Sequence, residues 1–301
     1  MNAIQVTPNG LEWLPTPDPA PQNEEVVVQV KAVGVNRADL LQASGQYPPP
    51  PGASNILGLE LAGIAEGRRV CALVPGGAYA EKAAVHRSML LPIPDEWPFS
   101  KAAAIPEAWL TAFVNLFMEA HLATGESVLI HAGASGVGLA AIQMAREAGA
   151  QVYATVRTSS KVAFCESFGA TVVDPTGPFP DADVILDCVG GNYLGKNIQA
   201  LKRFGRLVSI GLLGGAKGEL NLSTVLRNRL RIIGSTLRSR TRPEQIEITA
   251  NFQLRFWKNF LDGVFQTTID REFPIEQAGA AHRYMADNKN VGKIILTVSQ
   301  S

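Results

Sequence analysis

From about residue 127 to 237, short apolar runs alternate with stretches whose apolar residues recur at helical spacing. That rhythm predicts βαβ units and a parallel sheet. The predicted strands are 127–131, 151–156, 171–173, 183–188, 206–211 and 231–236, with helices at 137–148, 159–168, 193–201 and 222–228. Gly149, Gly169 and Gly205 each follow an apolar-periodic segment, where a glycine ends a helix. Residues 176–183 leave no room for a full helix between the third and fourth strands, so that crossover reads as a plain loop. Six strands in this order match a doubly wound dinucleotide fold.

Residues 1–106 have another texture: many Pro and Gly, with β-branched runs at 25–30 and 70–73. This predicts an irregular, mainly β domain. After about residue 241 come a helix at 243–261, a short strand, a helix near 275–288 and a final strand at 293–298, read as a return to the first domain. The expected division is therefore 1–107, 108–241 and 242–301.

Composition narrows the function. The 301 residues carry 27 basic and 27 acidic side chains, so bulk charge attracts neither nucleic acid nor an anionic membrane. The opening Met-Asn-Ala-Ile-Gln-Val has no basic segment before an apolar one, which predicts no signal peptide. The longest apolar run, 102–114, holds Pro106 and Glu107 and is too short to span a bilayer. Three separated cysteines, Cys71, Cys165 and Cys188, form neither a disulfide framework nor a metal cluster, as expected of a cytoplasmic protein.

The first strand of the central region runs into Gly133-Ala134-Ser135-Gly136-Val137-Gly138 and then a helix. Glycines there allow a tight turn and close approach of backbone to a pyrophosphate, which the helix N-terminus faces. The spacing is not the strict dinucleotide fingerprint, and a plain strand-to-helix turn has the same look. After the second strand comes Arg157-Thr158-Ser159-Ser160-Lys161, without the carboxylate that would hold the ribose of NAD. Arg157 and Lys161, with Thr158 or Ser159 as donor, suit a 2′-phosphate, which predicts NADPH. Ser159 also reads simply as a helix N-cap. Gly211, Leu212 and Leu213 end the fifth strand, where backbone groups reach a nicotinamide amide.

These residues carry a resemblance. Asn36-Arg37-Ala38-Asp39, Gly45-Gln46-Tyr47-Pro48, Gly58-Leu59-Glu60, Ile105-Pro106-Glu107-Ala108-Trp109-Leu110-Thr111, the glycine turn, Asp187-Cys188-Val189-Gly190-Gly191 and Leu237-Arg238-Ser239-Arg240 follow in order along nearly the whole chain. The sequence resembles the medium-chain dehydrogenases/reductases. Within them it is similar to the quinone oxidoreductase branch that contains zeta-crystallin and the tumour-suppressor-inducible NADPH quinone oxidoreductases. The resemblance implies a Rossmann α/β domain beside a mainly β, GroES-like catalytic domain. It also implies that Tyr47 and Ser135 line the acceptor pocket with Asn36 nearby, that Thr111 lies near the nicotinamide ribose, and that Arg238 contacts the cofactor.

Zinc-dependent relatives place a Cys in the segment matching 35–39 and a His in a Gly-His-Glu run; this chain has Asn36 and Gly58-Leu59-Glu60. Leu59 cannot ligate a metal, so no catalytic zinc is expected, and Glu60 reads as a local hydrogen-bonding residue. Rate must then come from positioning the acceptor and stabilising its developing charge. A quinone suits such a site, and Tyr47 is the candidate donor. Tyr47 equally reads as an aromatic resting on the proline run, Asn36 as a turn residue, Ser135 as a small loop residue and Thr111 as packing. His86, His121 and His282 read as surface residues and His131 as a satisfied strand end.

Two segments are shorter than in relatives: 65–70, and 174–183, where Asp174-Pro175-Thr176 stands in place of a Tyr that flanks the adenosine phosphate. The leading reading is NADPH-dependent reduction of a small quinone. The alternatives are reduction of an activated C=C bond in an enone, alkenal or enoyl thioester, or a non-catalytic NADPH-binding protein. A homodimer is expected, because in this fold the sixth strand can pair edge to edge across a two-fold axis.

Overall fold

The apolar runs in the middle of the chain form one six-stranded parallel sheet. Its order is Thr171–Val173, Gln151–Thr155, Ser127–Ile130, Ala182–Asp187, Leu201–Ser209, Arg231–Gly234. In the computed structural model, which describes residues 1–299, this sheet belongs to a compact unit spanning Thr111–Leu237. Met1–Leu110 and the chain from Arg238 onward form the other unit, so the divisions fall a few residues from the sequence-based ones. No described helix is long and apolar enough to cross a membrane.

Val128, Leu129, Ile130, Val184 and Ile185 are completely buried. That is why these strands read as unbroken apolar runs rather than alternating ones. Strand order reverses between Ser127–Ile130 and Ala182–Asp187, the switch point at which such sheets bind ligands.

Three elements differ from the expected ones. The strand expected at 206–211 begins at Leu201, because Leu201 already pairs with Ala182 before the register shifts and Val184 takes Arg206. The residues between bulge out, with Phe204 at a φ of 66°, so Gly205 belongs to the bulge and the helix Gly191–Ala200 ends without it. The helix expected at 159–168 is a 3₁₀ turn, Ser159–Lys161, followed by the short helix Val162–Ser167. Thr158 rather than Ser159 occupies the cap position, and its side chain makes no cap hydrogen bond.

The crossover at 174–181 is a loop without a helix, and its fastening is visible. Lys196 Nζ donates to the carbonyls of Pro175, Thr176 and Gly177 at 3.1, 2.9 and 3.4 Å. Phe179 packs against the rings of His131 and Tyr193. His131 is buried and bonded on both sides, to Thr155 Oγ1 at 3.0 Å and Asn197 Oδ1 at 2.7 Å.

In the other unit the strand Glu25–Val35 is the hub of a seven-stranded sheet. It pairs antiparallel with Glu60–Ala65, Lys82–His86 and the late strand Lys293–Thr297. The return of the tail is thus fixed by backbone ladders. Glu60–Ala65 turns tightly into Arg68–Leu73 through Glu66 and Gly67, both at positive φ (49° and 76°), a pairing that suits a two-residue hairpin. The helix Arg242–Leu261 starts with a Thr241–Glu244 capping box and carries Phe252, Trp257 and Phe260 into a cluster with Trp97, Trp109 and Phe265.

At the end of the hub strand lies a buried ion pair. Lys293 Nζ donates to Glu60 Oε1 at 2.5 Å, Asn36 Oδ1 at 2.6 Å and the Val35 carbonyl at 3.0 Å, which uses all three ammonium protons. Glu60 also accepts from Asn36 Nδ2 at 2.9 Å and from the Glu107 amide at 2.8 Å. Gly34 makes this possible: a Cβ there would stand 2.1 Å from Glu60 Oε1. Close by, Asp39 accepts from the amides of Asn36 and Gly58 and from the Tyr79 hydroxyl, which also meets His282 Nε2 at 3.2 Å. His282, expected at the surface, is therefore buried. It lies on Ala278–Ala286, a helix whose inner face packs on the sheet, and burial pushes its pKa down to about 4.

Lys293→Met leaves Glu60 charged and without its cation in a buried site. Urea unfolding is expected to show a loss of about 3–5 kcal/mol, most of it recovered in the Lys293→Met, Glu60→Gln double variant. A loss below 1 kcal/mol, roughly the scale of an exposed pair, would contradict this role.

Candidate functional site

In the Thr111–Leu237 unit the chemistry collects at the carboxyl ends of the central strands. Gly133 to Gly138 form the turn from Ser127–Ile130 into the helix Gly136–Glu147. Ser135 is the N-cap, its hydroxyl accepting from the Gly138 amide at 3.0 Å. Glycine is required at 138, because a Cβ would stand 2.5 Å from the carbonyls of Ala132 and Gly133. Gly133 is anchored to the next strand through its amide and the Thr155 carbonyl at 2.9 Å. The amides of Gly136 and Val137 lie ahead of the first intrahelical bonds and face outward with the positive end of the helix. Together with Ala134 this is a cradle of the kind that receives a pyrophosphate.

Arg157, Thr158 and Lys161 follow Gln151–Thr155 at the same end of the sheet. Arg157 and Thr158 are exposed and Lys161 half-buried. Among the described residues nothing hydrogen-bonds or ion-pairs with the Arg157 guanidinium, and its charge is felt by the Tyr193 phenol. Gly211, Leu212 and Leu213 follow Leu201–Ser209 on a loop zipped to the preceding crossover by Leu213 N–Cys188 O (3.1 Å) and Gly214 N–Val189 O (2.7 Å). Leu212 and Leu213 are exposed apolar side chains. Asp187 folds this crossover by accepting from the amides of Val189 and Gly190, so its role visible here is structural. Thr111 is half-buried, and its carbonyl receives Asn115 Nδ2 at 2.7 Å. Asn115 lies in a π-helical stretch, Val114–Glu119, that continues Pro106–Phe113. These residues fit a dinucleotide by the shape of the cradle, by its free amides and by the uncommitted Arg157.

The remaining candidates belong to the other unit. Asn36 is the N-cap of Arg37–Ala43 and is held by the Lys293–Glu60 pair. Tyr47 is half-buried with the Arg238 guanidinium 5.3 Å from its ring centre. Burial raises its pKa, and the neighbouring Glu107 adds to the rise. Arg238, for which the resemblance implied cofactor contact, is 5% exposed and donates to Gln42 Oε1 (2.6 Å), the Pro75 carbonyl (2.8 Å) and the Tyr47 carbonyl (3.4 Å). Its visible work is to brace Tyr47 and the proline-rich segment.

Reading the residues singly missed three groups. Asp39 is fully buried and its pKa is raised to about 6, chiefly by burial; its place three residues after Asn36 is a capping-box spacing that could have flagged it. Lys293 gave no local signal, since its partners lie more than two hundred residues away. Glu107 keeps some exposed surface, yet its carboxyl is crowded enough that burial, then Glu60, lifts its pKa to about 8. Its Pro-Glu start of a helix predicts only an ordinary first-turn carboxylate.

Comparison with known proteins agrees with both halves of this architecture. Residues 136–251 match the zinc-binding dehydrogenase family, and residues 22–95 match the alcohol dehydrogenase GroES-like domain. Lovastatin diketide synthase of Aspergillus terreus is 31% identical over 94% of this chain, and the synaptic vesicle membrane protein VAT-1 homolog of Danio rerio is 30% identical over 93% of it. The chain spans only 12% of that synthase and 65% of the VAT-1 homolog. Among solved structures, the quinone oxidoreductase of Thermus thermophilus, also solved as its NADPH complex, is 31% identical with a TM-score of 0.84, covering 99% of this chain and 100% of its own. The CurK enoyl reductase is 26% identical with a TM-score of 0.83, covering 99% of each chain. On this full-length likeness, the chain belongs to the medium-chain dehydrogenase/reductase superfamily.

Proposed function

We propose that this chain is a zinc-independent, NADPH-dependent reductase of a small, flat quinone, of the tumour-suppressor-inducible kind. The observation that carries the reading is the Lys293 ammonium bonded to Asn36, Glu60 and the Val35 carbonyl. Where zinc-dependent relatives present metal ligands, this chain has Asn36 and Leu59; Leu59 cannot ligate a metal, and Asn36 is already bonded to the Lys293 ammonium. An acceptor reduced here must therefore be activated by its own conjugation, as quinones and enones are. The bound dinucleotide supplies a hydride.

The side chains do the rest. The Gly133–Gly138 amides and Ser135 hold the pyrophosphate, and Thr111 and the backbone of Gly211, Leu212 and Leu213 fix the nicotinamide end. Arg157 and Lys161, with Thr158, hold the 2′-phosphate. Tyr47, braced by Arg238, orients the acceptor by stacking or by a hydrogen bond from its neutral phenol. Reduction of an activated C=C bond is the second reading, favoured by the enoyl reductase among the structural neighbours. The exposed apolar side chains Leu222, Leu226 and Ile232 (63%, 77% and 45% exposed) and the unpaired edge of Arg231–Gly234 favour a homodimer that covers them.

NADPH oxidation against ortho- and para-quinones, enones and enoyl thioesters tests the substrate. Quinone turnover is expected, slowed roughly tenfold in Tyr47→Phe. Turnover of enoyl thioesters alone would replace the leading reading, and cofactor binding with no turnover would establish a binding protein instead. Arg157→Ala is expected to raise the KM for NADPH roughly tenfold while leaving that for NADH unchanged; equal effects on both would remove the 2′-phosphate assignment. Sedimentation should show a dimer that Ile232→Lys converts to monomer, and a monomeric wild type would refute the assembly.

A further inference from the structure

His131 follows the strand Ser127–Ile130 and stands two residues before Gly133. The backbone ladder between that strand and Gln151–Thr155 ends at the Ile130–Ala154 pair. Beyond it two hydrogen bonds carry the contact on, both to Thr155. His131 Nδ1 meets Thr155 Oγ1 at 3.0 Å, and the Gly133 amide donates to the Thr155 carbonyl at 2.9 Å. Between the two tied residues stands Ala132, at a φ of 52°. That left-handed conformation is costly for a residue with a Cβ and persists only where its surroundings over-determine it. The turn is also pressed against the second strand, since a Cβ on Gly133 would stand 2.8 Å from the Cβ of Ala154. The shape of the turn therefore depends on how firmly Thr155 is held beneath it.

The other ring nitrogen decides how this tie is made. His131 Nε2 lies 2.7 Å from Oδ1 of Asn197, a fully buried residue of the helix Gly191–Ala200. Asn197 Nδ2 is within the influence of the Asp187 carboxyl but beyond hydrogen-bond distance of it. A carboxylate favours the amide's donor end over its carbonyl end, so the amide stands this way round. Asn197 Oδ1 can only accept, so His131 Nε2 carries the proton. Nδ1 is then bare, and the Thr155 hydroxyl donates to it. Burial holds the pKa of His131 below the ordinary histidine range, which keeps the ring in this neutral form. Phe179 and Tyr193 pack on the ring, with centres 5.0 and 4.8 Å away.

We propose that His131 is a positioning residue for the dinucleotide: its ring, bridging Asn197 to Thr155, holds the glycine turn in the shape that presents its amides to the pyrophosphate. The inference rests on the reading of Gly133–Gly138 as a pyrophosphate cradle. It gives His131 no contact with the cofactor and no part in proton transfer. The pyrophosphate is common to NADPH and NADH, so loss of the bridge weakens both alike, whereas loss of Arg157 separates them.

Cofactor binding and ring spectroscopy on the full chain test this. His131→Phe keeps a ring between Phe179 and Tyr193 and removes both hydrogen bonds. Its dissociation constants for NADPH and NADH, measured by titration calorimetry, are expected to rise together by about tenfold, with kcat at saturating cofactor within about twofold of wild type. His131→Gln, whose amide can donate to Asn197 as Nε2 does, should recover part of that affinity. Thr155→Val cuts the bridge without touching the histidine, and should reproduce the paired loss even where His131→Phe does not fold. In nitrogen-15 spectra of the wild type labelled at its four histidines, the His131 ring should carry one proton, on Nε2, at neutral pH. Wild-type affinity for both cofactors in the folded variants would overturn the proposal, as would a loss confined to NADPH or a proton on Nδ1. Failure of the wild type to bind either dinucleotide would instead overturn the cradle reading.

Discussion

The GroES-like unit is organised around one buried ammonium. Lys293 gathers Glu60, Asn36 and the end of the hub strand, and Glu60 passes the tie on to the amide of Glu107. A late strand, two early strands and the entrance of a helix therefore share one electrostatic centre. Burying this pair is costly in itself, and its geometry meets the cost by leaving no ammonium proton unbonded. Its consequence is specificity of arrangement: the late strand has one register in which Lys293 reaches all three acceptors.

Much of the dinucleotide-binding half was legible because its signals are local. An unalternating apolar strand, a glycine turn and a helix occur within about twenty residues of one another, and Gly138 is explained by atoms only a few residues away. The loop at 174–181 could be read by length alone. What hid from the sequence was anything set by distant partners. The bulge before Arg206 depends on how Leu201 meets Ala182. His282 looks like a surface residue until its helix is laid against Tyr79.

The candidate chemistry divides in the same way. Gly133–Gly138 and Arg157 could be proposed from residue type and spacing. Tyr47 and Asn36 needed a resemblance, because a lone tyrosine or asparagine carries no pattern. Glu107 stood inside a quoted motif and still told nothing, since its interest comes from what Asp39 and Glu60 already hold. Arg238 also needed the likeness to be singled out, and the part of its setting that sequence could not show is its three hydrogen bonds to Gln42, Pro75 and Tyr47.

The helix-free crossover has a consequence of its own. Lys196 holds it through three backbone carbonyls and lies over the Phe179 ring, 5.5 Å from its centre. The ammonium's grip is therefore indifferent to which side chains stand at 175–177, whereas Phe179, packed on His131 and Tyr193, is a fixed point of the loop. Exchange of side chains is thus tolerated on one side of the loop and resisted on the other, within a few residues of chain.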